Sequence, residues 1–218
     1  MRLLLIRHGQ TPANVNGVLD AEVPGPGLTE LGQQQAAALP EALADRGIEK
    51  LFVSSMIRTH VTAAPLAASL GIDPVVLPGL REIEAGDLQG ARDETSVQRY
   101  LAACYAWASG EREARMPGAE TGEDFFDRYD DAIRQIEDTG VAVAAAFSHG
   151  AAIRIWSAVT AQNTPNDLGA SRHLENTGVV ELEGSTADGW RLVDWAGEPM
   201  GGDDLIDRTA QDPTGERF

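Results

Sequence analysis

Arg7 and His8 stand where a short apolar run, Leu3-Leu4-Leu5-Ile6, gives way to Gly9 and a polar, Gly/Pro/Asn-rich stretch from Thr11 to Pro26. A run of that size and β-leaning composition reads as a buried strand, and Gly9 breaks it. In an α/β domain the end of such a strand lies at the C-terminal edge of a sheet, where ligands bind. A guanidinium beside a neutral imidazole suits attack on phosphorus: the arginine pairs bidentately with phosphate oxygens while a ring nitrogen serves as nucleophile. A surface Arg-His pair at a strand end would carry the same two letters, so the dipeptide needs company.

Company comes from other strand ends. The continuous apolar run from Val141 to Phe147 stops at Ser148-His149-Gly150, a second histidine followed by glycine. Leu51-Phe52-Val53 ends at Ser54-Ser55, with Arg58 shortly after, and the loop following Val75-Val76-Leu77 offers Glu82. If these strands lie side by side, right-handed crossovers put their C-terminal ends on one edge. Two arginines, two histidines and a carboxylate would then converge there.

The elements that must position them alternate between strand and helix. Thr29 is an N-cap for a helix reaching about Gly47, a second helix covers 57–70 and ends at Gly71, and a helical pattern over 95–108 carries Tyr100, Tyr105 and Trp107. After Pro117-Gly118 a helix over 121–138 has Phe125, Phe126, Tyr129, Ile133 and Ile136 near one face, and another runs from Gly150 to about Ala161. Segments 176–183 and 190–195 flank a Gly/Ser/Asp turn as a final strand pair. The expectation is an α/β fold, a three-layer αβα sandwich with a mostly parallel central sheet and a small helical insertion after the third strand. Residues 1–197 read as a single domain, with 83–118 as a variable insertion or cap over the site, and 198–218 as a polar tail expected to fray.

With 218 residues, 43% hydrophobic and 23% charged, the chain can bury a substantial core. A net charge of −17 speaks against nucleic acid or an anionic membrane surface as partner. No apolar stretch has the length of a membrane helix, and the N-terminal leucine run is too short for a signal-peptide core. One cysteine, Cys104, forms no internal disulfide, which suits a reducing cytoplasm or a fold that needs no staple. An acidic protein that binds phosphate must build a local positive pocket. Of 17 basic residues only Lys50 is a lysine, and arginine is the better bidentate partner for phosphate.

Taken in order, these segments resemble the histidine phosphatase superfamily, also called the phosphoglycerate-mutase-like family, of the branch 1 type. Its Arg-His-Gly-Glu-Thr motif stands as Arg7-His8-Gly9-Gln10-Thr11, with Gln10 where glutamate is commoner. Asn14 and Gly17 follow, then Leu28-Thr29-Glu30-Leu31-Gly32 and Gln35-Ala36. The Ser-Ser-Pro-Leu-x-Arg-Ala segment appears as Ser54-Ser55-Met56-Ile57-Arg58-Thr59, one residue tighter, and Thr62-Ala63 keeps the following Thr-Ala. Leu80-Arg81-Glu82 with Gly86 and Gly90, Glu120-Thr121, and Ser148-His149-Gly150 complete the set over roughly residues 1–195. The resemblance implies that His8 attacks phosphorus and becomes a phosphohistidine. Arg7, Arg58 and His149 would hold the equatorial oxygens. Glu82 would protonate the leaving oxygen and then help activate water. Asn14 and the Gly9 backbone N–H would add phosphate contacts, and with arginines supplying the charge no metal or other cofactor is needed.

Other readings of single residues are set beside these. His60, two residues beyond Arg58 on a helix, and His173, in a polar loop, read as structural. Glu84 and Asp87 compete with Glu82 for the acid role. A zinc site from His8, His149 and Cys104 lacks metal-type spacing. The expected function is a phosphatase acting on small phosphomonoesters, a cytoplasmic enzyme whose partner is a phosphorylated small molecule, with a homodimer left open. The alternatives are a phosphoglycerate mutase and a catalytically silent phosphate-binding module. Against the mutase, region 91–118 has no lysine, and its Arg92, Arg99, Arg112 and Arg115 are interspersed with Asp93, Glu94, Glu111 and Glu113. Against the silent module, His8, Arg58 and Glu82 are all present.

Overall fold

A computed structural model describes residues 1–164, 172–210 and 212–215. Its centre is one six-stranded sheet, built from β1 (Arg2–Arg7), β2 (Lys50–Val53), β3 (Val75–Val76), β4 (Val143–Ser148), β5 (Val179–Ser185) and β6 (Gly189–Ala196) in the order β3-β2-β4-β1-β5-β6. β1 to β4 run parallel, while β5 and β6 are antiparallel to their neighbours. The sequence expectation of an α/β fold with a mostly parallel sheet is met.

Both faces are covered, which is why the central strands are apolar at every position rather than at alternate ones. Leu3, Leu5, Phe52, Ala144, Ala146, Val180 and Leu182 share one cluster with α4 (Glu94–Ala108), α5 (Gly122–Glu137) and α6 (Gly150–Thr160). The intervening residues Leu4, Ile6, Leu51, Val53, Ala145 and Phe147 point the other way, toward α2 (Glu30–Ala42) and α3 (Ile57–Leu70). The helix expected to reach Gly47 stops at Ala42 and gives way to a 3-10 turn over Ala44–Arg46. The loop from Thr11 contains one further helical turn, α1 (Pro12–Val15), capped by Thr11 and Asn14.

Register fixes where the chemistry sits. Arg7 of β1 lies opposite Ser148 of β4, and Val53 of β2 lies opposite Phe147. The residues that follow, His8, Ser54 and His149, therefore leave the sheet at the same edge. Two departures from expectation matter. The 83–118 segment does not lie over that edge as a separate cap: Tyr100, Leu101, Cys104 and Trp107 of α4 are buried in the core. It meets the front of the molecule through Gly90, Ala91 and Gln89, which bond to Leu19, Asp20 and Ala21. The tail, expected to fray, instead returns to the sheet edge, where Asp212 is buried against Arg7. A fully buried guanidinium demands a counter-charge, and the tail brings it. Among the described residues no helix is long and apolar enough to cross a membrane.

Candidate active site

His8 leaves β1 buried, 3% exposed, with its Nδ1 2.8 Å from the Gly9 carbonyl. A carbonyl only accepts, so Nδ1 carries the proton and Nε2 holds the lone pair. Burial, then the charges of Arg58 and Arg7, hold the His8 pKa well below its ordinary value. A neutral imidazole with Nε2 as the basic nitrogen is what nucleophilic attack requires. The turn behind it is tight: a Cβ on Gly9 would lie 2.7 Å from the Gly32 carbonyl, and one on Gly32 only 2.2 Å from the Gln10 carbonyl. The two motif glycines let the first loop and the start of α2 pass in contact.

His149 leaves β4 5.2 Å from His8, ring centre to ring centre. Its Nδ1 accepts from Arg58 Nε at 3.2 Å, so Nε2 keeps the proton and donates to Ser54 Oγ at 2.8 Å. Burial and the nearby Arg58 hold this ring neutral too, with its pKa well below the usual histidine value. Arg58 itself, 2% exposed on the first turn of α3, also donates through Nη2 to the Asp20 carbonyl at 2.8 Å and through Nη1 to the Asp20 carboxylate at 3.3 Å. Burial lowers its pKa from the ordinary guanidinium value, while Asp20 and Glu82 oppose that shift.

Glu82 is 3% exposed and meets the front of α6. It accepts from the backbone N–H groups of Ala152 (2.8 Å), Ala151 (3.2 Å) and Ile83 (3.0 Å). His149, the residue at the N-cap of α6, makes no side-chain cap of its own, so Glu82 supplies the missing acceptor from another loop. Burial raises its pKa, against the pull of these amides and of Arg58. Its loop is clamped from behind by Arg128 of α5, which donates to the carbonyls of Gly79, Arg81 and Glu82 at 2.8–2.9 Å and pairs with Glu120 at 2.7 Å. Glu120 in turn accepts from the Glu84 N–H.

These side chains surround a cavity lined by His8, Thr11, Asn14, Asp20, Arg58, Glu82 and Thr214, among others. It encloses about 20 Å³, room for one water. The structure thus brings Arg7, His8, Arg58, Glu82 and His149 to one sheet edge. Arg7 lies behind the cavity wall, donating to the Leu174 carbonyl at 2.7 Å, to Thr214 Oγ1 at 3.1 Å and to the Asp212 carboxylate. Asn14 donates to the other Asp212 oxygen at 3.1 Å. The Gly9 N–H is given to Thr62 Oγ1 at 2.9 Å, so a phosphate contact there would require that bond to open. His60 donates to the Ser54 carbonyl, His173 pairs with Glu198, and Glu84 pairs with Arg81; none of these, nor Asp87, lines the cavity.

Sequence reasoning passed over Asp20, Arg128, Asp212, Thr214 and Asn176, whose Nδ2 donates to the His8 carbonyl at 3.0 Å. Arg128 had a signal, a cation on the same helix face as Phe125 and Tyr129. Asp212 had none, being 205 positions from its partner.

The histidine phosphatase superfamily (branch 1) family model matches residues 3–197. The chain is 40% identical over 212 residues to the PE-PGRS family protein PE_PGRS11 of Mycobacterium tuberculosis, an alignment covering 90% of this chain and 36% of that longer protein. It is 35% identical over 111 residues to the adenosylcobalamin/alpha-ribazole phosphatase of Salmonella typhimurium, covering 49% of this chain and 54% of that one. Among solved structures, a mycobacterial glucosyl-3-phosphoglycerate phosphatase in complex with VO3 superposes with a TM-score of 0.76 at 27% identity, over 90% of this chain and 99% of that one. A strand-end Arg-His pair, a second histidine beside it and a matching family model over most of the length lead to one conclusion: the chain belongs to branch 1 of the histidine phosphatase superfamily.

Proposed function

We propose that the protein is a phosphatase that hydrolyses small phosphomonoesters through a phosphohistidine on His8. The observation that carries this is the tautomer: the Gly9 carbonyl accepts a hydrogen bond from Nδ1–H of a buried, neutral His8, leaving Nε2 as the nucleophilic nitrogen in a cavity shared with Arg58 and Glu82. In the first step Nε2 forms a bond to phosphorus as the ester P–O bond breaks, and the departing oxygen takes the proton of Glu82. In the second, water gives a proton back to the Glu82 carboxylate and its oxygen attacks phosphorus. The P–N bond breaks, its electron pair returns to Nε2, and inorganic phosphate leaves. Arg58 and Arg7 supply positive charge to the phosphoryl oxygens, and His149 fixes Arg58 through its Nδ1. Burial, which raises the Glu82 pKa, favours the protonated acid that the first step needs.

The test is turnover of 4-nitrophenyl phosphate together with alkali-quenched labelling from a ³²P-phosphomonoester. Wild-type protein should release inorganic phosphate and retain a base-stable label that later acid treatment removes, and His8→Ala should do neither. A label that survives in His8→Ala would refute the assignment. Transfer of phosphate to a second hydroxyl in place of release would favour the mutase reading.

A further inference from the structure

Each of the two arginines at the site already has a carboxylate. Arg58 holds Asp20, which is anchored in its own loop by Gln89. Arg7 holds Asp212, which arrives on a C-terminal strap whose described residues, 207–210 and 212–215, pair with no strand. The strap is tied down by polar contacts, among them the Leu174 N–H to the Gly215 carbonyl at 2.9 Å and Arg7 to Thr214 Oγ1 at 3.1 Å. Gln10 Nε2 donates to Asp207 at 2.9 Å, Asn14 Nδ2 donates to Asp212 at 3.1 Å, and Arg154 Nη1 donates to the Thr214 carbonyl at 2.8 Å. Asp207, Arg208 and Thr209 are otherwise half-buried or exposed. Thr214 forms part of the cavity wall, whereas Arg7 does not reach it. Arg7 Nε is buried with no hydrogen-bond partner, a donor on the guanidinium that the strap leaves unsatisfied.

A carboxylate accepting from a guanidinium and an amide is chemically what two oxygens of a phosphate would be. The cavity in front of it is small, about 20 Å³. We infer that Asp212 is an internal anion held in the phosphate position of Arg7 and Asn14, and that a phosphomonoester binds by displacing it and lifting the strap. Resting on the phosphatase reading above, this makes Asp212 a residue that sets substrate affinity. Only a ligand with enough charge to take Arg7 from a carboxylate, a phosphate dianion rather than a carboxylic acid, opens the site. The strap keeps Arg7 compensated while the site is empty, and its Thr214 excludes ligands that lack a phosphoryl group.

Two measurements on the full chain test this with orthovanadate as the probe. In wild-type protein, saturating vanadate should increase amide hydrogen exchange in 207–215, including the Thr214 N–H that now faces Asp212. Asp212→Asn, which cannot accept from both Arg7 and Asn14, should bind vanadate about tenfold more tightly and lower KM for 4-nitrophenyl phosphate in step, because the closed population no longer competes. Asp203→Asn removes the same charge from the exposed turn at Asp203–Leu205 and should leave vanadate affinity unchanged. The inference is overturned if vanadate leaves the strap equally or better protected. It is also overturned if Asp212→Asn binds vanadate no more tightly or more weakly, or if Asp203→Asn gains as much. Should vanadate bind neither form and nitrophenyl phosphate go unhydrolysed, the phosphatase reading falls as well; if both occur but the strap stays closed, only this inference falls.

Discussion

His8 and His149 come from near-identical words, Arg-His-Gly at the end of β1 and Ser-His-Gly at the end of β4, yet the fold gives them different work. Both are buried, and both are held neutral by burial and the surrounding arginines. The difference lies in what the second ring nitrogen meets. At His8 one nitrogen is tied to the backbone and the other stays open to the cavity. At His149 both nitrogens are tied, one to Arg58 and one to Ser54. The Ser54 hydroxyl continues the chain toward Thr59, whose own hydroxyl donates to the Met56 carbonyl at 2.8 Å. A loop follows His8 and a helix follows His149, so one ring ends a strand facing a cavity while the other is held at a helix start. The lesson is that a strand-end histidine can serve as a nucleophile only where the protein leaves one of its nitrogens unspent.

Substitution should widen that contrast. His8→Ala should abolish turnover, whereas His149→Ala should leave measurable activity, reduced about 10²-fold, the scale of losing one group that stabilises the transition state. His149→Asn, which can still accept from Arg58, should recover part of that loss. Equal, complete loss in both alanine variants would mean that His149 acts directly in bond making.

Next in size is Glu82→Gln. Alkyl phosphates, whose leaving oxygen needs a proton, should slow roughly 10²–10⁴-fold, and 4-nitrophenyl phosphate much less. Equal losses on both would assign Glu82 to capping α6 alone, with Glu84 and Asp87 the next carboxylates to test.

The smallest effect concerns pH. In the proposed mechanism neutral His8 is the reactive form, and its pKa in the folded protein lies well below 6.5. The acid limb of kcat/KM for nitrophenyl phosphate should therefore fall below pH 6.5, and a midpoint at or above 6.5 would show an accessible, unperturbed ring. The same shifts act on stability. His8 and His149 are neutral when folded but titrate near 6.5 when unfolded, so the stability they contribute is intact above that value and is lost as pH falls toward their folded pKa. His149→Asn should flatten the acid side of a urea-unfolding profile relative to wild type.

Most of the sheet could be read in the chain because its signals are local: apolar runs of strand length, glycines at their ends and the capping Thr29. The placement of Arg7, His8 and His149 at strand ends, and of Arg58 just beyond one, followed from those runs and one topological rule. What stayed hidden depends on long-range pairing. The 83–118 segment looked like a cap because its loops are polar, but the aromatic residues of α4 find their burial against α6 and α5. The tail looked solvated because nothing within it can form a core. Its order derives from Arg7, whose need for a counter-charge is visible only after β1 is buried.

The grip of Arg128 on the loop carrying Glu82 has a consequence for how this site can diversify. The guanidinium holds main-chain carbonyls of Gly79, Arg81 and Glu82, atoms that every residue possesses. The hold is therefore blind to side-chain identity at position 81, and a lineage could change that residue, and whatever ligand chemistry it meets, without loosening the Glu82 carboxylate beside it. Position 79 is the exception, since a Cβ there would lie 2.3 Å from the Arg128 carbonyl. Innovation and fidelity are thus parted within a few residues of one loop.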